Sequence, residues 1–392
     1  MLDDIVILAG ARTAIGTFGG ALAGTPPIDL ATTVSKAALD RAGVEGGQIG
    51  HVVFGHVINT EPRDMYLARV AAMQAGVPET VPAMNVNRLC GSGAQAIVSV
   101  VQSLAMGDAD FALTGGAECM SRSPYILPAA RWGQKMGDVE TRDMMLGALN
   151  CPFGTGHMGV TAENVASEHT VTREDQDAFA LTSQQRAAQA IAEDRFAEQI
   201  VPVEIQVKRD TVAFAKDEHP KDTSTEKLAS LRPVFQKDGT VTAGNASGIN
   251  DGAAALVLAR GAAAEKAGLT PAFRVLGYGH SGVRPRVMGL GPIPAVRNLC
   301  ERTGLTPGDF DVIESNEAFA AQAIAVNREL GLDADRVNPN GGAIALGHPV
   351  GATGAILTVK AMYELQRTGG KRALITMCIG GGQGIALAIE RI

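Results

Sequence analysis

Cys90 is the first side chain in this 392-residue sequence whose setting suggests chemistry. It stands in Leu-Cys-Gly-Ser-Gly, directly before an apolar segment predicted to be a helix. The positive end of a helix and its unpaired N–H groups stabilise a thiolate, the nucleophilic form of cysteine. Gly91 and Gly93 are expected to let a ligand approach the backbone closely. The pattern indicates a nucleophile, although a buried structural cysteine is the commoner outcome for a lone cytosolic cysteine.

His348 and Cys378 occupy two glycine-rich turns. His348 lies between a glycine and a proline, on a constrained turn that suits a general base or an oxyanion donor. A turn histidine with an ordinary hydrogen bond explains the local pattern equally well. The glycine spacing before it resembles a phosphate-binding loop, but no Lys-Ser or Lys-Thr pair follows, which excludes a nucleotide P-loop.

Cys378 follows a predicted buried strand and precedes residues 380–382, which are all glycine. A dinucleotide-binding turn is excluded there, because Ile385 replaces the last glycine of that motif. The N–H groups of the turn could instead bind an anion. Asn316 begins a strand-to-helix junction, where the simplest alternative to a site residue is a helix cap.

The elements that must position these residues are predicted from apolar runs that end at glycines. Strands are predicted at 5–8, 51–54 and 111–113, and helices at 29–43, capped by Asp29, and at 94–106. This alternation predicts a mostly parallel sheet covered on both faces. Segments at 273–277, 310–313 and 372–377 repeat the three strands at offsets between 260 and 268 residues. The sequence therefore predicts a duplicated α/β unit.

Residues 121 to about 243 differ from both halves, since they are richer in charged and polar residues. Thr172 begins a capping box there, which predicts a helix to about Arg195. We expect this insertion to form a lid or a substrate-binding region, with a functionless surface decoration as the alternative. The predicted organisation is a first half at 1–120, an inserted loop domain at 121–245, a return to the first half at 246–270 and a second half at 271–392.

The composition argues against several classes of protein. The net charge is −7 and no basic run occurs, so nucleic acid is not an expected partner. The five cysteines are scattered without Cys-x-x-Cys spacing, so neither a disulfide framework nor a metal site is expected. No secretory signal is recognised, and no apolar stretch approaches the roughly 20 residues that cross a membrane. We expect a soluble protein of the reducing cytoplasm.

Taken together, four blocks resemble the signatures of the thiolase family, and they occur in the family's order. The blocks are residues 89–93, 316–322, 340–349 and 378–382. The resemblance extends from Ala11 to the C-terminus and is greatest to bacterial biosynthetic β-ketothiolases. Residues 61–66 resemble the branch with broader chain-length preference that serves polyhydroxyalkanoate synthesis. The resemblance implies a layered αβαβα core and an acyltransferase of fatty acid metabolism, either an acetyl-CoA C-acetyltransferase or an acetyl-CoA C-acyltransferase.

The resemblance also implies a mechanism, a reversible Claisen condensation of acetyl-CoA with acetyl-CoA or a short acyl-CoA. His348 would take the proton of Cys90, which would carry the acyl group. Cys378 would remove the α-proton of the second acetyl-CoA. One oxyanion site would be His348 with a water held by Asn316, and the other would be the N–H groups of Cys90 and Gly380.

The same resemblance implies that coenzyme A thioesters are substrates and that no cofactor is tightly bound. The inserted loop domain would then serve CoA binding and oligomer contacts, in a homotetramer built as a dimer of dimers. The positions that match CoA contacts of the family are Leu149, His157, Met158, Lys221, Ala243, Ser247, Met288, Ala318 and Phe319. Lys221 stands where many relatives carry an arginine, and it keeps the charge without the bidentate geometry. His56 and Ala94 also depart from common family choices.

Two other functions share parts of this pattern. A ketoacyl synthase would have the same fold and nucleophile but normally pairs its cysteine with two histidines, and here Cys378 occupies the second position. A non-catalytic lipid or sterol carrier with this fold has no need of Cys90, His348 and Cys378 together. The complete set therefore favours a thiolase.

Overall fold

The first half of the chain contributes five strands and three helices. The computed structural model describes residues 4–392. The elements of the first half are β1 (Ile5–Thr13), β2 (Gly16–Thr17), β3 (His51–Gly55), β4 (Ala83–Val86), β5 (Phe111–Cys119), α1 (Pro27–Ala42), α2 (Leu67–Gln74) and α3 (Ser92–Met106). The three predicted strands are present and longer than predicted. The prediction that Asp29 caps α1 is wrong: Pro26 is the cap residue and Asp29 lies in the first turn. Pro27 begins the helix because its fixed φ suits the first helical position.

The insertion consists of short elements and two longer helices. Its elements are β6 (Tyr125–Ile126), β7 (Arg142–Asp143), α4 (Met144–Leu149), β8 (Asn150–Cys151), β9 (Gly156–His157), α5 (Met158–Glu168), α6 (Arg173–Ala192), β10 (Ile200–Val201), β11 (Val203–Val207), β12 (Asp210–Phe214) and α7 (Thr225–Ala229). The predicted capping box is confirmed, since the Thr172 hydroxyl accepts the N–H of Asp175. The helix ends at Ala192, three residues before the predicted end.

The rest of the chain completes the first half and builds the second. These elements are β13 (Asn250–Arg260), α8 (Gly261–Lys266), β14 (Phe273–Gly282), α9 (Pro292–Thr303), β15 (Val312–Ser315), α10 (Ala320–Leu330), α11 (Ala343–Leu346), α12 (Thr353–Thr368), β16 (Arg372–Ile379) and β17 (Gln383–Arg391).

The strand order confirms the predicted duplication. Outward from β1 the order is β13, β5, β3 and β4, and outward from β14 it is β17, β16 and β15. β1 and β14 pair with each other and join the two halves. Val337 forms a parallel bridge to Ile313 of β15, at the place that β4 holds in the first half. Each of the three strand correspondences predicted from the sequence is therefore correct.

The expectation of a mostly parallel sheet is wrong. β3 pairs in parallel with β4 and β5, and β15 with β16, but β13 and β17 run antiparallel to both of their main neighbours. β16 and β17 are joined by the three glycines 380–382. A connection that short cannot cross over the sheet, so it forces an antiparallel pair.

The layers follow from where the helices pack. α3 and α12 contact each other and lie between the two halves of the sheet, while α1 covers the outer face of the first half and α9 that of the second. Separate apolar clusters fill the central layer, the two outer layers and the junction of the insertion with α10. This is the expected αβαβα arrangement. α3 and α12 can approach closely because Gly354 has no Cβ. A Cβ at that position would lie 2.2 Å from the Ala94 nitrogen.

The stretch Leu89–Met106, which contains α3, has the length and apolar composition of a membrane span. The expectation that no stretch approaches that length does not hold for this segment. In the fold α3 packs between the two halves, and most of its apolar side chains belong to the central cluster. The burial of these side chains in the central layer accounts for the apolar composition of α3.

Candidate active site

One cavity brings together residues from both halves and from the insertion. Its wall is almost entirely apolar and is interrupted by two thiols and one imidazole. The lining residues are Val57, Leu89, Cys90, Ala148, Leu149, Met158, Ser247, Met288, Ala318, Phe319, His348, Val350, Cys378 and Gly380. An apolar cavity with a few convergent polar groups is the usual form of an active site. The structure thus brings Cys90, His348, Cys378 and Gly380 together with six of the nine predicted CoA contacts.

Cys90 is held on a strained turn immediately before α3. Leu89 has a φ of +46°, a conformation that is costly for a residue with a side chain. The Ser92 hydroxyl supports the turn, because it accepts the N–H of Arg88 at 2.9 Å and donates to the Leu89 carbonyl at 2.6 Å. The turn presents the Cys90 side chain to the cavity. The helix begins at Ser92, so the predicted position of Cys90 before the helix is confirmed.

One detail of the Cys90 prediction, a favoured thiolate, is wrong. Burial raises the pKa of the Cys90 thiol, and the N–H groups of Gly380 and of Cys90 itself oppose that effect only in part. The buried Glu118 carboxylate adds a further upward contribution to this pKa. Cys90 therefore needs a base when it reacts.

His348 follows Gly347, whose φ of +105° only glycine adopts readily. The backbone N–H of His348 donates to Asn250 Oδ1 at 2.9 Å, and its Nδ1 lies 2.6 Å from Thr353 Oγ1. Burial lowers the pKa of His348 to about 4. At neutral pH the imidazole is therefore uncharged, as a general base must be.

Cys378 ends β16 and is fully buried. Burial raises the pKa of its thiol far above the ordinary value, and the neighbouring Cys90 raises it further. Its own N–H group lowers the pKa slightly. The two thiols are thus close enough to interact electrostatically, and the charged form of one disfavours the charged form of the other.

Asn316 lies beside His348 rather than in the cavity wall. Its Nδ2 is 3.4 Å from His348 Nε2, and its buried Oδ1 has no hydrogen-bond partner within residues 4–392. Gln322 Nε2 donates to its carbonyl at 3.2 Å, which fixes the start of α10 against the site. Asn316 is therefore placed to hold a small polar molecule next to His348.

Three predicted CoA contacts lie outside the cavity. His157 caps α5, accepts the N–H of Gly159 at 3.0 Å and stacks on Phe235. Ala243 is exposed in a turn. Lys221 is exposed and lines a separate polar groove beside α6.

Several residues that hold the site together carry no role in the sequence prediction. Glu118 accepts the N–H groups of Val57, Ile58 and Gly351, and so ties together two stretches of the cavity wall. The sequence feature that could have revealed Glu118 is that it is a lone carboxylate within the nine-residue apolar strand β5. Thr353 and Asn250 carry no such local signal, because their importance arises only from contacts with His348.

Glu317 connects the insertion to the loop before His348. Its carboxylate accepts Ser183 Oγ of α6 at 2.7 Å, Asn338 Nδ2 at 2.8 Å and the N–H of Ile344 at 3.2 Å. Glu317 stands next to Asn316 in a block that the sequence singled out, but its own contribution was missed.

His56, which the sequence marked as a departure from the family, is buried behind the cavity wall. Its Nδ1 lies 2.9 Å from the Ala117 carbonyl and 3.5 Å from Glu118 Oε1, and its Nε2 lies 4.0 Å from Asp64 Oδ2. No group of three His, Cys, Asp or Glu side chains within residues 4–392 is arranged to hold a metal ion.

Known proteins resemble this chain over its full length. Models of the thiolase N-terminal and C-terminal domains match residues 5–262 and 269–391. Over its full length, and over theirs, the chain is 58% identical to beta-ketothiolase BktB of Cupriavidus necator and 50% identical to the acetyl-CoA acetyltransferase of Thiocystis violacea. The structure of human mitochondrial 3-ketoacyl-CoA thiolase in complex with CoA matches with a TM-score of 0.97 and 42% identity, over all of this chain and 98% of that one.

The chain belongs to the thiolase family. It is an acyltransferase, and the reaction class expected from the sequence, a reversible Claisen condensation of acyl thioesters, is confirmed. The family's match to both halves also agrees with the layered fold described above.

Proposed function

We propose that this protein is a biosynthetic β-ketothiolase, an acetyl-CoA C-acetyltransferase that condenses acetyl-CoA with acetyl-CoA or a short acyl-CoA through an acyl group on Cys90. The observation that carries the proposal is the meeting of Cys90, His348 and Cys378 in one apolar cavity. Condensation needs a nucleophile and two proton transfers, and these side chains supply all three.

The first half-reaction is acyl transfer to Cys90. Because the Cys90 pKa is raised and the His348 pKa is lowered to about 4, both groups are neutral at rest. His348 takes the thiol proton as the sulfur attacks the thioester carbonyl. The C–S bond to CoA then breaks, and the proton passes from His348 to the departing CoA sulfur. The acyl-enzyme and free CoA are the products.

The second half-reaction is condensation, with Cys378 as the base. Once Cys90 is acylated it can no longer ionise, so it can no longer oppose the ionisation of Cys378. His348, neutral again after the acylation step, takes the thiol proton of Cys378. The resulting buried thiolate of high pKa is a strong base, suited to the weakly acidic α-carbon of acetyl-CoA. The enolate attacks the acyl carbonyl, the bond to Cys90 Sγ breaks, and 3-ketoacyl-CoA forms, while the Cys90 thiolate takes back a proton from His348.

Negative charge develops on a thioester oxygen in each half-reaction. The N–H groups of Cys90 and Gly380 stabilise the charge on the acyl group at Cys90. His348 and a water bound to Asn316 Oδ1 stabilise the enolate of the second acetyl-CoA. The buried, unpaired Oδ1 of Asn316 supports this assignment, since a water is the natural partner for a buried acceptor.

Coenzyme A would enter along the insertion. Leu149, Met158, Ser247, Met288, Ala318 and Phe319 form the apolar and polar wall of the cavity, against which the pantetheine arm would lie. His157, Ala243 and Lys221 lie further out, where the nucleotide and its phosphates would be. The structural relative human mitochondrial 3-ketoacyl-CoA thiolase forms a complex with CoA, which supports CoA as the ligand of this cavity.

Two candidate activities differ in their acyl chain-length preference: an acetyl-CoA C-acetyltransferase and an acetyl-CoA C-acyltransferase. The wall contains Leu89, Met158 and Met288, and flexible methionine side chains adapt to different acyl groups. This observation favours a broad chain-length preference, as an acetyl-CoA C-acyltransferase that serves polyhydroxyalkanoate synthesis. Thiolysis rates over a series of 3-ketoacyl-CoA chain lengths decide between the two activities.

We place the protein in the cytoplasm as a homotetramer built from two dimers. Large exposed apolar side chains are concentrated in the insertion: Tyr125, Leu127, Trp132, Met136 and Phe153. Exposed apolar side chains in this number favour an interface between chains. Sedimentation velocity of the protein gives the oligomeric state directly.

Labelling tests the mechanism. Protein mixed with [1-¹⁴C]acetyl-CoA and quenched in acid should carry label on the peptide that contains Cys90, and Cys90→Ala should carry none. Cys300→Ala is the matched control, because Cys300 is a thiol of α9 far from the cavity wall, and it should label normally. Active protein without label at Cys90 would refute the mechanism.

A further inference from the structure

The two ring nitrogens of His348 have different partners. Nδ1 lies 2.6 Å from Thr353 Oγ1, and Nε2 lies 3.4 Å from Asn316 Nδ2. Thr353 is 2% exposed and is the first residue of α12. Its hydroxyl donates to the Pro349 carbonyl at 2.9 Å. His348, Pro349 and Thr353 thus form a closed hydrogen-bonded loop.

The hydroxyl group of Thr353 has one proton. Because that proton is directed to the Pro349 carbonyl, the hydroxyl oxygen can only accept at its contact with His348 Nδ1. Nδ1 must then carry the imidazole proton, and Nε2 of the neutral ring must carry the lone pair. The amide group of Asn316 agrees with this assignment, because its Nδ2 is a donor and faces Nε2.

We propose that Thr353 is a positioning residue that holds His348 in the tautomer protonated at Nδ1, so that Nε2 is the atom that takes the Cys90 proton. The proposal rests on the proposed function, in which His348 is the base for Cys90. Thr353 contacts no substrate, since it is absent from the cavity wall, and it acts only through the ring of His348.

The arrangement also serves the charged form of His348. When Nε2 gains the proton of Cys90, Nδ1 keeps its own proton and its hydrogen bond to Thr353 Oγ1. The ring therefore does not rotate between the neutral and charged states. The Pro349 carbonyl accepts the proton of the Thr353 hydroxyl and so polarises it. This makes the hydroxyl oxygen a better acceptor for the imidazolium N–H. The opposite tautomer would place the Nδ1 lone pair against the oxygen of Thr353.

The test compares Thr353→Val, which keeps the shape and removes the hydroxyl, with Thr353→Ser, which keeps the hydroxyl. Thr358→Val is the matched control: Thr358 is also buried in α12, and its hydroxyl donates to the Gly354 carbonyl at 2.8 Å without contact to His348. The rate of Cys90 acylation by acetyl-CoA should fall about 100-fold in Thr353→Val, within the range that a positioned general base contributes. Thr353→Ser should restore most of the rate, Thr358→Val should keep it, and the KM for acetyl-CoA should change little.

Solid-state ¹⁵N NMR of histidine-labelled protein reads the tautomer without activity, with the His348 signals assigned by their loss in His348→Asn. At pH 7, wild type and Thr353→Ser should show a protonated Nδ1 and an unprotonated Nε2, and Thr353→Val should show both tautomers. An Nε2-protonated ring in the wild type overturns the proposal, even if Thr353→Val does not fold. Wild-type acylation in a folded Thr353→Val also overturns it. If wild-type Cys90 were not acylated by acetyl-CoA, the proposed function would be refuted. The tautomer of His348 measured by NMR would still be valid.

Discussion

Asn250 Oδ1 accepts a hydrogen bond of 2.9 Å from the backbone N–H of His348, a residue 98 positions further along the chain. Asn250 is the first residue of β13, where the chain returns to the sheet after the insertion. Its Nδ2 donates to the Gly16 carbonyl at 3.0 Å and lies 3.3 Å from His219 Nδ1. A single buried amide therefore connects the first half of the fold to the turn that carries the imidazole.

Asn250→Ala should reduce the rate of Cys90 acylation by about 100-fold, because small displacements of a catalytic group have effects of that size. The N–H of His348 would lose its buried partner, which destabilises the fold by about 1–3 kcal/mol. Single-turnover acylation and the thermal midpoint measure the two effects. Asn298→Ala is the control, since Asn298 lies on α9 and its Nδ2 donates to the His280 carbonyl of β14, outside the cavity wall. Equal acylation in both variants would contradict the prediction.

Cys378→Ala should separate the two half-reactions. Cys90 should still be acylated by acetyl-CoA, whereas condensation should fall by about 10²–10⁴, the contribution expected of a positioned base. Loss of deuterium exchange at the methyl group of acetyl-CoA in D₂O provides an independent measurement of the same step. Cys119→Ala, which removes another buried thiol, should retain both half-reactions. Normal condensation by Cys378→Ala would assign the base to another residue.

The low pKa of His348 predicts how activity and stability respond to acid. Since the pKa is about 4 rather than the ordinary 6.5, acylation should stay nearly constant from pH 7 to pH 5.5 and should fall through pH 4. The unfolded chain binds a proton at this position at higher pH than the folded chain does, so the free energy of unfolding should fall as the pH drops from 6.5 to 4. The difference corresponds to about 3 kcal/mol, at about 1.4 kcal/mol for each pH unit.

His348→Asn isolates this contribution, because His219 and His280, whose pKa values are also lowered to about 4, remain in both proteins. Thermal midpoints measured between pH 7 and pH 4.5 should fall less steeply in His348→Asn than in the wild type. Parallel curves would show that His348 does not contribute to the acid sensitivity.

Lys221 should affect binding of the nucleotide part of CoA and not the chemistry. Lys221→Ala should raise the KM for acetyl-CoA several-fold with kcat unchanged, as expected for a contact made equally in the ground and transition states. Lys221→Arg should lower the KM, because a guanidinium binds phosphate with two hydrogen bonds. Acetyl-pantetheine, which has no nucleotide phosphates, is the control substrate and should show one KM in all three proteins. Equal KM values for acetyl-CoA would remove Lys221 from the phosphate contacts.

Short-range chemistry made much of this protein predictable from its sequence. The apolar runs that became β1, β3 and β5, the capping box at Thr172 and the glycine-rich turns beside Cys90 and Cys378 depend on neighbours along the chain. The repeat of strand types between the halves is also a linear pattern, so the duplication could be predicted before any contact was known.

Only the tertiary structure decided the features that depend on distant residues. The antiparallel course of β13 follows from its position between β1 and β5 in the sheet, and the raised pKa of Cys90 follows from burial and from Glu118, 28 positions away. Asn250 of β13 reaches the N–H of His348 from 98 positions earlier in the chain. The physical reason is that desolvation and hydrogen-bond pairing are properties of a folded environment, whereas helix caps, turns and apolar periodicity are properties of a short stretch of chain.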